Sequence, residues 1–379
     1  MRQDFNPFIL TGYTTPEYFC NRENETKRLI KNIKNQQNTA LFALRRLGKT
    51  GLIKHVFHRL QAEKKVVCIY IDLYATRNLG DFANLLANAV YQAYPEKKQF
   101  AKQFINTFKS LRPVVSIDSL SGVPELSLDL TGNVKIEKTI PQLLTYLEAQ
   151  NIPIVIAMDE FQQIVHYPEK NVEAILRTKI QELQHCHFIF SGSHQAMMVE
   201  LFHHVKRPFY NSTTPIYLDK IDASSYHSFI KKMFEKYKYA ITDESIDYVL
   251  EWTDRFTYHV QAVCHHLFAE GDKKITLEKT QALCLEVLKQ QEHIYFQYRN
   301  LLTDTQWQLL KAFAKEEIVT QPYTKKFILE YQLGSAAIVK RSLEALVTKE
   351  MIYYDASSPT PYYAVNDKFL MRWLQRLPK

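Results

Sequence analysis

This sequence predicts an α/β fold in which a parallel sheet covered by helices is followed by an all-α domain and a small winged module. Three observations carry that expectation. Short apolar runs alternate with stretches of helical periodicity from residue 26 to residue 190. A basic turn ending in glycine, lysine and threonine joins the first apolar run to the helix after it. Beyond Leu218 the apolar runs give way to helical spacing. Strands that alternate with helices pair in parallel and are buried on both faces.

In chain order, residues 26–35 repeat apolar side chains at helical spacing, and 39–44 is a short apolar run that reads as a buried strand. A helix over 49–62 follows, then the strand KVVCIYIDL at 65–73, which carries an acidic residue at its end. Asp81 is placed to cap a helix that runs to residue 94. From 113 to 135 the pattern switches to period two, with Ser121, Gly122 and Pro124 as turn residues, which predicts an inserted β-hairpin. Residues 141–150 return to helix, 152–158 form the next buried strand, 172–183 a helix, and 187–190 a strand that stops at SGS. Four helices are expected over 223–237, 242–252, 258–269 and 277–295. Helices over 305–314, 323–331 and 335–349, followed by MIYYD and PYYAVND, have the order of a winged helix-turn-helix. The expected division is therefore 1–218 with the hairpin at about 113–135, a helical lid at 219–300, and a winged helix at 301–379.

Composition narrows the function classes. A chain of 379 residues with 46% hydrophobic and 13% aromatic side chains buries cores enough for two or three domains. Residues 1–10 lack a cationic segment followed by an apolar run, and no later stretch is apolar enough to span a bilayer, so a cytoplasmic protein with no membrane partner is expected. Cys20, Cys68, Cys186, Cys264 and Cys284 are scattered singly, without the close pairs of zinc or redox centres. A net charge of +8 suits a nucleic-acid partner but leaves the partner open.

The sharpest chemistry lies in ALRRLGKT at 43–50, between a strand and a helix. There, successive backbone N–H groups surround phosphates, Lys49 neutralises the terminal groups, and Thr50 holds magnesium through its hydroxyl. Ala43, Arg45, Arg46, Leu47, Gly48, Lys49, Thr50 and Gly51 are thus the candidate nucleotide-binding residues of a Walker A-type loop, and the fold expected is a P-loop NTPase sheet. Ala43 occupies the place where glycine usually opens this loop, which it can do with a negative φ. In IPIVIAMDEF, Asp159 and Glu160 end a buried strand where such sheets expose their ligand crevice. Asp159 is the second magnesium-holding residue, and Glu160 is the candidate that orients or deprotonates the attacking water. Ser193, with Ser191 as its alternative, ends the next strand at the same edge and is a candidate partner for the γ-phosphate or that water.

Together FCNRENE, ALRRLGKTGLI, AMDEFQQI, FIFSGS and the terminal winged helix resemble the archaeal-type ATPase family, a branch of the STAND group related to AAA+ proteins. The resemblance spans almost the whole chain. It implies an amino-terminal segment lying against adenine, and so residues near Phe8, Tyr18, Phe19 and Arg22, with Glu23 and Glu25 tying that segment to the core. Where relatives carry a glycine-proline pair in the lid this chain has DRFTYHVQ, so Tyr258, His259 and Gln261 inherit that place weakly, and His259 is more simply a packed helix residue. An arginine that senses the γ-phosphate is common in such ATPases. Arg177 and Arg207 are the candidates, although Asn211 and Ser212 stand where relatives have a glycine-arginine pair.

On the winged helix, Lys340, Arg341 and Lys349 are candidate phosphate contacts and Ser335 lies at the start of the recognition helix, while Ile338, Leu343 and Leu346 face its core. Tyr353, Tyr354, Tyr362 and Tyr363 are expected to pack across the wing. The leading expectation is slow, magnesium-dependent ATP hydrolysis that drives a switch controlling DNA or protein contact, with ATP and ADP as ligands and a protein partner or homo-oligomer as further candidates. The alternative is a DNA-binding regulator whose nucleotide is structural. A small-molecule kinase is disfavoured, because the extra helices follow the nucleotide core rather than interrupt it.

Overall fold

The structure is a computed structural model that describes residues 5–63, 66–94, 98–117, 119, 122, 124–130, 136–356 and 358–378, with backbone alone for 98–102. Two compact units are present: Arg22–Asp219, and Met1–Asn21 together with Lys220–Lys379.

The first unit contains helices α1 (Glu23–Lys34), α2 (Lys49–Ala62), α3 (Leu79–Gln92), α4 (Lys98–Thr107), α5 (Ile136–Glu148), α6 (Val172–Gln181) and α7 (Gln195–His203). Its strands are β1 (Thr39–Ala43), β2 (Val67–Asp72), β3 (Pro113–Ile117), β4 (Pro124–Leu128), β5 (Ile154–Asp159), β6 (Cys186–Gly192) and β7 (Thr214–Leu218). Five of these form a parallel sheet in the order β2-β5-β6-β1-β7. The central strands β1, β5 and β6 are buried along their whole length, as continuous apolar runs covered on both faces require. The edge strand β7 was not expected from sequence. It contains Pro215, which an edge tolerates because one side of the strand needs no ladder donor.

The expected hairpin is present as antiparallel β3 and β4, although part of its turn, including Ser121, and residues 131–135 lie outside the described residues. Asn84 Oδ1 and Asn88 Oδ1 accept from the backbone N–H groups of Leu128 and Leu126 at 2.7 and 3.1 Å, which holds β4 on α3. One local expectation is corrected. The cap of α3 is Asn78, whose side chain accepts from Asp81 N at 2.8 Å. Asp81 instead returns a bond, its carboxylate accepting from Arg77 N at 2.8 Å, so the acid sits in the first turn rather than before it.

The second unit comprises α8 (Ala223–Lys236), α9 (Asp243–Trp252), α10 (Thr257–Ala269) and α11 (Leu277–Asn300), with a two-residue parallel pair, β8 (Ala240–Ile241) and β9 (Lys274–Ile275). The winged helix follows: α12 (Asp304–Glu316), α13 (Lys325–Glu330), α14 (Ala336–Thr348), β10 (Ile352–Asp355), β11 (Tyr362–Val365) and a closing α15 (Lys368–Arg376). Tyr354 and Tyr363 are opposite each other across the wing, with ring centroids 4.6 Å apart. Residues 5–21, grouped with the sheet in the sequence reading, pack in this second unit. Phe8 is 1% exposed with its ring 4.9 Å from that of Phe234, and Tyr18 OH lies 2.9 Å from Tyr237 OH. Among the described residues, no helix is long and apolar enough to cross a membrane.

Candidate functional site

The basic loop leaves β1 at Ala43, the last residue of that strand, and enters α2 at Lys49. Two left-handed positions turn it: Arg46 at φ 69° and Gly48 at φ 91°. Gly48 takes that conformation without a Cβ penalty, which starts α2 with its N-terminal N–H groups at the loop. Leu47 is buried and anchors the loop, Arg45 is exposed, and Gly51 lies in the first turn of α2.

Strand order gathers the acids here. Asp159 ends β5, and β6, the strand between β5 and β1, brings Ser191 alongside. Thr50 Oγ1 donates to Asp159 Oδ2 at 2.8 Å, Tyr70 OH donates to the same oxygen at 2.9 Å, and Ser191 Oγ donates to Asp159 Oδ1 at 2.6 Å. Lys49 Nζ is 4.0 Å from Glu160 Oε1. Burial alone would push the Asp159 carboxyl up, but the charge of Lys49 and the three hydroxyl donors outweigh it, so its pKa lies below the ordinary carboxylate value. Asp72 is the register partner of Asp159 on β2. Its pKa is raised, chiefly by burial, against the backbone N–H of Tyr74, with the neighbouring charges of Asp159 and Glu160 adding to the rise.

Glu160 begins a short 3-10 helix, Phe161–His166, with a left-handed φ of 51°. Its Oε2 accepts from Ser193 N at 3.1 Å, Ser193 Oγ at 2.7 Å and Gln162 Nε2 at 2.6 Å. The two serines therefore divide the acids: Ser191 belongs to Asp159 and Ser193 to Glu160. Gly192, between them, is a point of close approach, since a Cβ there would lie 2.0 Å from Gln162 Oε1 and 2.8 Å from Met198 Sδ. Among the described residues no three His, Cys, Asp or Glu side chains cluster as a protein cage for a metal. One hydroxyl and one carboxylate, Thr50 and Asp159, match the few oxygen ligands that magnesium takes from a protein when it keeps water and substrate phosphates.

The remaining candidates are spread over both units. Arg22 is buried, and its guanidinium donates to the carbonyl of Leu47 at 3.1 Å, the carbonyl of Asp219 at 2.5 Å and the Glu25 carboxylate at 3.1 Å. Glu23 pairs with Arg59 at 3.7 Å. Arg207 pairs with Glu173 at 2.7 Å and with Glu200. Arg177 is half-buried on α6, and burial lowers its pKa. Phe19, Tyr258 and Gln261 belong to the second unit. There Phe19 meets Tyr13, their ring centroids 5.9 Å apart, Tyr258 is partly exposed on α10 and Gln261 is buried. His259 is buried too, its Nε2 accepting from Lys368 N at 3.2 Å.

Tyr70 and Asp72 are the site residues that sequence reading missed. Period two along β2 puts both on one face, and the strand's acidic end was visible. Only the register of β2 against β5 reveals that the face is that of Asp159.

Comparisons with known proteins bear on the fold and the family. The chain has the fold of a Walker-type ATPase of Pyrococcus abyssi, with a TM-score of 0.67 at 16% identity over 97% of this chain and 99% of that one. The Aeropyrum pernix ORC2 protein in ADPNP-ADP complexes gives 0.59 at 12% identity, covering 98% and 97%. The Aeropyrum pernix ORC1 protein in complex with DNA gives 0.53 at 14%, covering 95% and 93%. At these identities the likeness is one of fold. No curated protein sequence matches the chain. Residues 293–376 match the model of a "probable winged helix domain". Residues 19–263, well over half of the chain, match the model of an ATPase domain predominantly from Archaea, and the chain belongs to that family.

Proposed function

We propose that this chain binds ATP with magnesium and hydrolyses it slowly, as a nucleotide-driven switch over contact with DNA or a protein. The observation that carries the reading is the meeting of Thr50, Asp159, Lys49 and Glu160 at one sheet edge. Magnesium would supply charge neutralisation between the phosphates and the protein, with Thr50 and Asp159 as its holders. Lys49 adds a fixed cation for the terminal phosphate, and the loop from Ala43 to Gly51 supplies N–H donors. Glu160, held by Ser193 and Gln162, is a restrained base beside Lys49, which suits it to orient a water and take its proton.

In this proposal the helical lid at 219–300 and the winged helix at 301–379 are the responding parts. Exposed Lys340, Arg341 and Lys349 on or just after α14 offer cations to a phosphate backbone, and a chain of the same fold is known in complex with DNA. Turnover of radiolabelled ATP by wild type, Lys49→Ala and Glu160→Gln tests the site. Loss in both variants is expected, and equal activity in all three would remove the assignment.

One observation favours the second reading, a DNA-binding regulator with structural nucleotide: three donors already occupy Glu160 Oε2. DNA mobility shifts with ATP, ADP and no nucleotide at several salt concentrations separate the two, since a switch distinguishes ATP from ADP and a structural ligand does not.

A further inference from the structure

The chain crosses between its two compact units twice, at Asn21–Arg22 and at Asp219–Lys220. Arg22 is one of these crossing residues, and its side chain holds the other. The buried guanidinium donates through Nη1 to the carbonyl of Asp219 at 2.5 Å and through Nη2 to the carbonyl of Leu47 at 3.1 Å, with Glu25 at 3.1 Å fixing its orientation. Its backbone, at φ 66°, is left-handed, so the side chain leaves the main chain at a fixed turn just before α1.

The Leu47 carbonyl has a particular place. It shares one planar peptide with the N–H of Gly48, the last residue before α2. In a planar unit the carbonyl and the N–H cannot rotate independently, so a phosphate that reorients or polarises the Gly48 N–H also moves or strengthens the bond at the Leu47 oxygen. The guanidinium's planar fork carries that change to Asp219, because its donors move as one rigid group. Beyond the crossings the chain is held as well. Asn21 Nδ2 donates to Asp222 Oδ2 at 3.0 Å and to Ser225 Oγ at 2.9 Å, at the start of α8. Lys220 Nζ pairs with Asp254 at 2.7 Å, and the other oxygen of Asp254 pairs with Lys368 of α15 at 3.1 Å.

We propose that Arg22 is a positioning residue that couples the Leu47–Gly48 peptide of the phosphate loop to both chain crossings. Nucleotide at the loop thereby alters the start of α8 and, through Lys220 and Asp254, the winged helix. The proposal rests on the reading of the loop as a nucleotide site and assigns its means of communication.

Hydrogen exchange of the full chain, with and without magnesium and a non-hydrolysable ATP analogue, tests it in wild type, Arg22→Lys and Glu25→Gln. In wild type, peptides covering 43–52 and those covering the crossings near 22 and 220 are expected to slow together by about tenfold. Arg22→Lys keeps the charge but lacks the two-pronged fork, so at nucleotide concentrations that saturate the loop the crossings respond less than about twofold, and a loop that no longer responds in this variant overturns a role confined to coupling. Glu25→Gln, which loosens the guanidinium without touching the loop, gives an intermediate response. A wild-type crossing response retained in Arg22→Lys, or a wild-type loop response with no change at the crossings, overturns the coupling alone. Absence of any loop response in wild type overturns the nucleotide site beneath it.

Discussion

Tyr70 places its hydroxyl 2.9 Å from Asp159 Oδ2, from the strand next to the one that carries the acid. A carboxylate that is 3% exposed thus receives three hydroxyl donors, two on one oxygen. Tyr70→Phe removes one of them while keeping the ring, and a hydrogen bond to a charged group contributes about 1.5–3 kcal/mol. Asp159 is the linked group, and its folded pKa is depressed. Its contribution is therefore present above the unfolded value of about 3.9 and lost as pH falls through the folded one. Loss of a donor raises the folded value, so urea unfolding should show Tyr70→Phe less stable at pH 7 and its acid transition shifted to higher pH. An acid transition at the wild-type position would deny Tyr70 this role.

Gly192, the last residue of β6, is where the side chains of Gln162 and Met198 come close to the backbone. An alanine Cβ 2.0 Å from Gln162 Oε1 forces that side chain away, and with it the 2.6 Å bond to Glu160. Met198, buried at 2.8 Å, leaves little room for the displaced amide. Overpacking of this kind costs about 1–3 kcal/mol. Gly192→Ala is expected to melt lower and to lose ATP turnover more than it loses nucleotide affinity. Calorimetry together with equilibrium binding of a fluorescent nucleotide checks both parts, and affinity falling as far as turnover would contradict the second.

Much of this arrangement was legible in advance, for reasons particular to the residues. The buried strands β1 and β5 are uninterrupted apolar runs, and the helix over 49–62 follows a glycine that the loop requires, so local pattern sufficed. Strand β7 was missed because an edge strand is half exposed and holds a proline, so it shows neither a full apolar run nor clean alternation. Helix α15, a short amphipathic segment, follows the wing by two residues and gave no separate signal. The allegiance of residues 5–21 depends on Phe8 meeting Phe229, Phe234 and Phe268, more than two hundred residues away, and no local periodicity encodes such a meeting. The same holds for Arg22. Resemblance implicates the residues near it in holding adenine, and its partners here, two backbone carbonyls and Glu25, are brought together only by the folded chain.

Asp222 caps α8, its Oδ1 accepting from Ser225 N and Ser224 Oγ, each at 2.8 Å. Side-chain and backbone bonds from Ser225, with Ser224, hold its carboxyl down to about 2. The sign follows from that depression: the stabilisation is complete above about pH 4 and fades as the pH falls toward 2. Asp222→Ala is expected to lose about 1 kcal/mol at pH 7, the usual worth of an N-cap, and the gap to wild type should close below pH 3. Paired urea titrations at pH 7, 4 and 2.5 would show this, and a gap that stays constant with pH would assign the loss to something other than the ionised cap.

Lys368 poses the opposite case, a buried base. Its side chain is 1% exposed, its ammonium lies 3.1 Å from Asp254 Oδ2 and 4.5 Å from the Phe256 ring centroid, and burial pulls its pKa down to about 8 against the pull of Asp254. Between about pH 8 and the ordinary lysine value near 10.4, the unfolded chain binds a proton that the folded chain does not. Stability from this group therefore rises with pH across that window and is absent below it. Lys368→Met, similar in length and without charge, removes the rise, so the difference in unfolding free energy between wild type and variant should grow in favour of wild type from pH 8 to pH 10. Asp254→Ala acts the other way, stranding the buried ammonium, and should cost about 3–5 kcal/mol at pH 7. Because that charge is the cause, the loss should shrink at pH 10, where Lys368 is largely neutral in the folded chain. A loss of equal size at both pH values would mean that Asp254 acts through packing or through Lys220 rather than through Lys368.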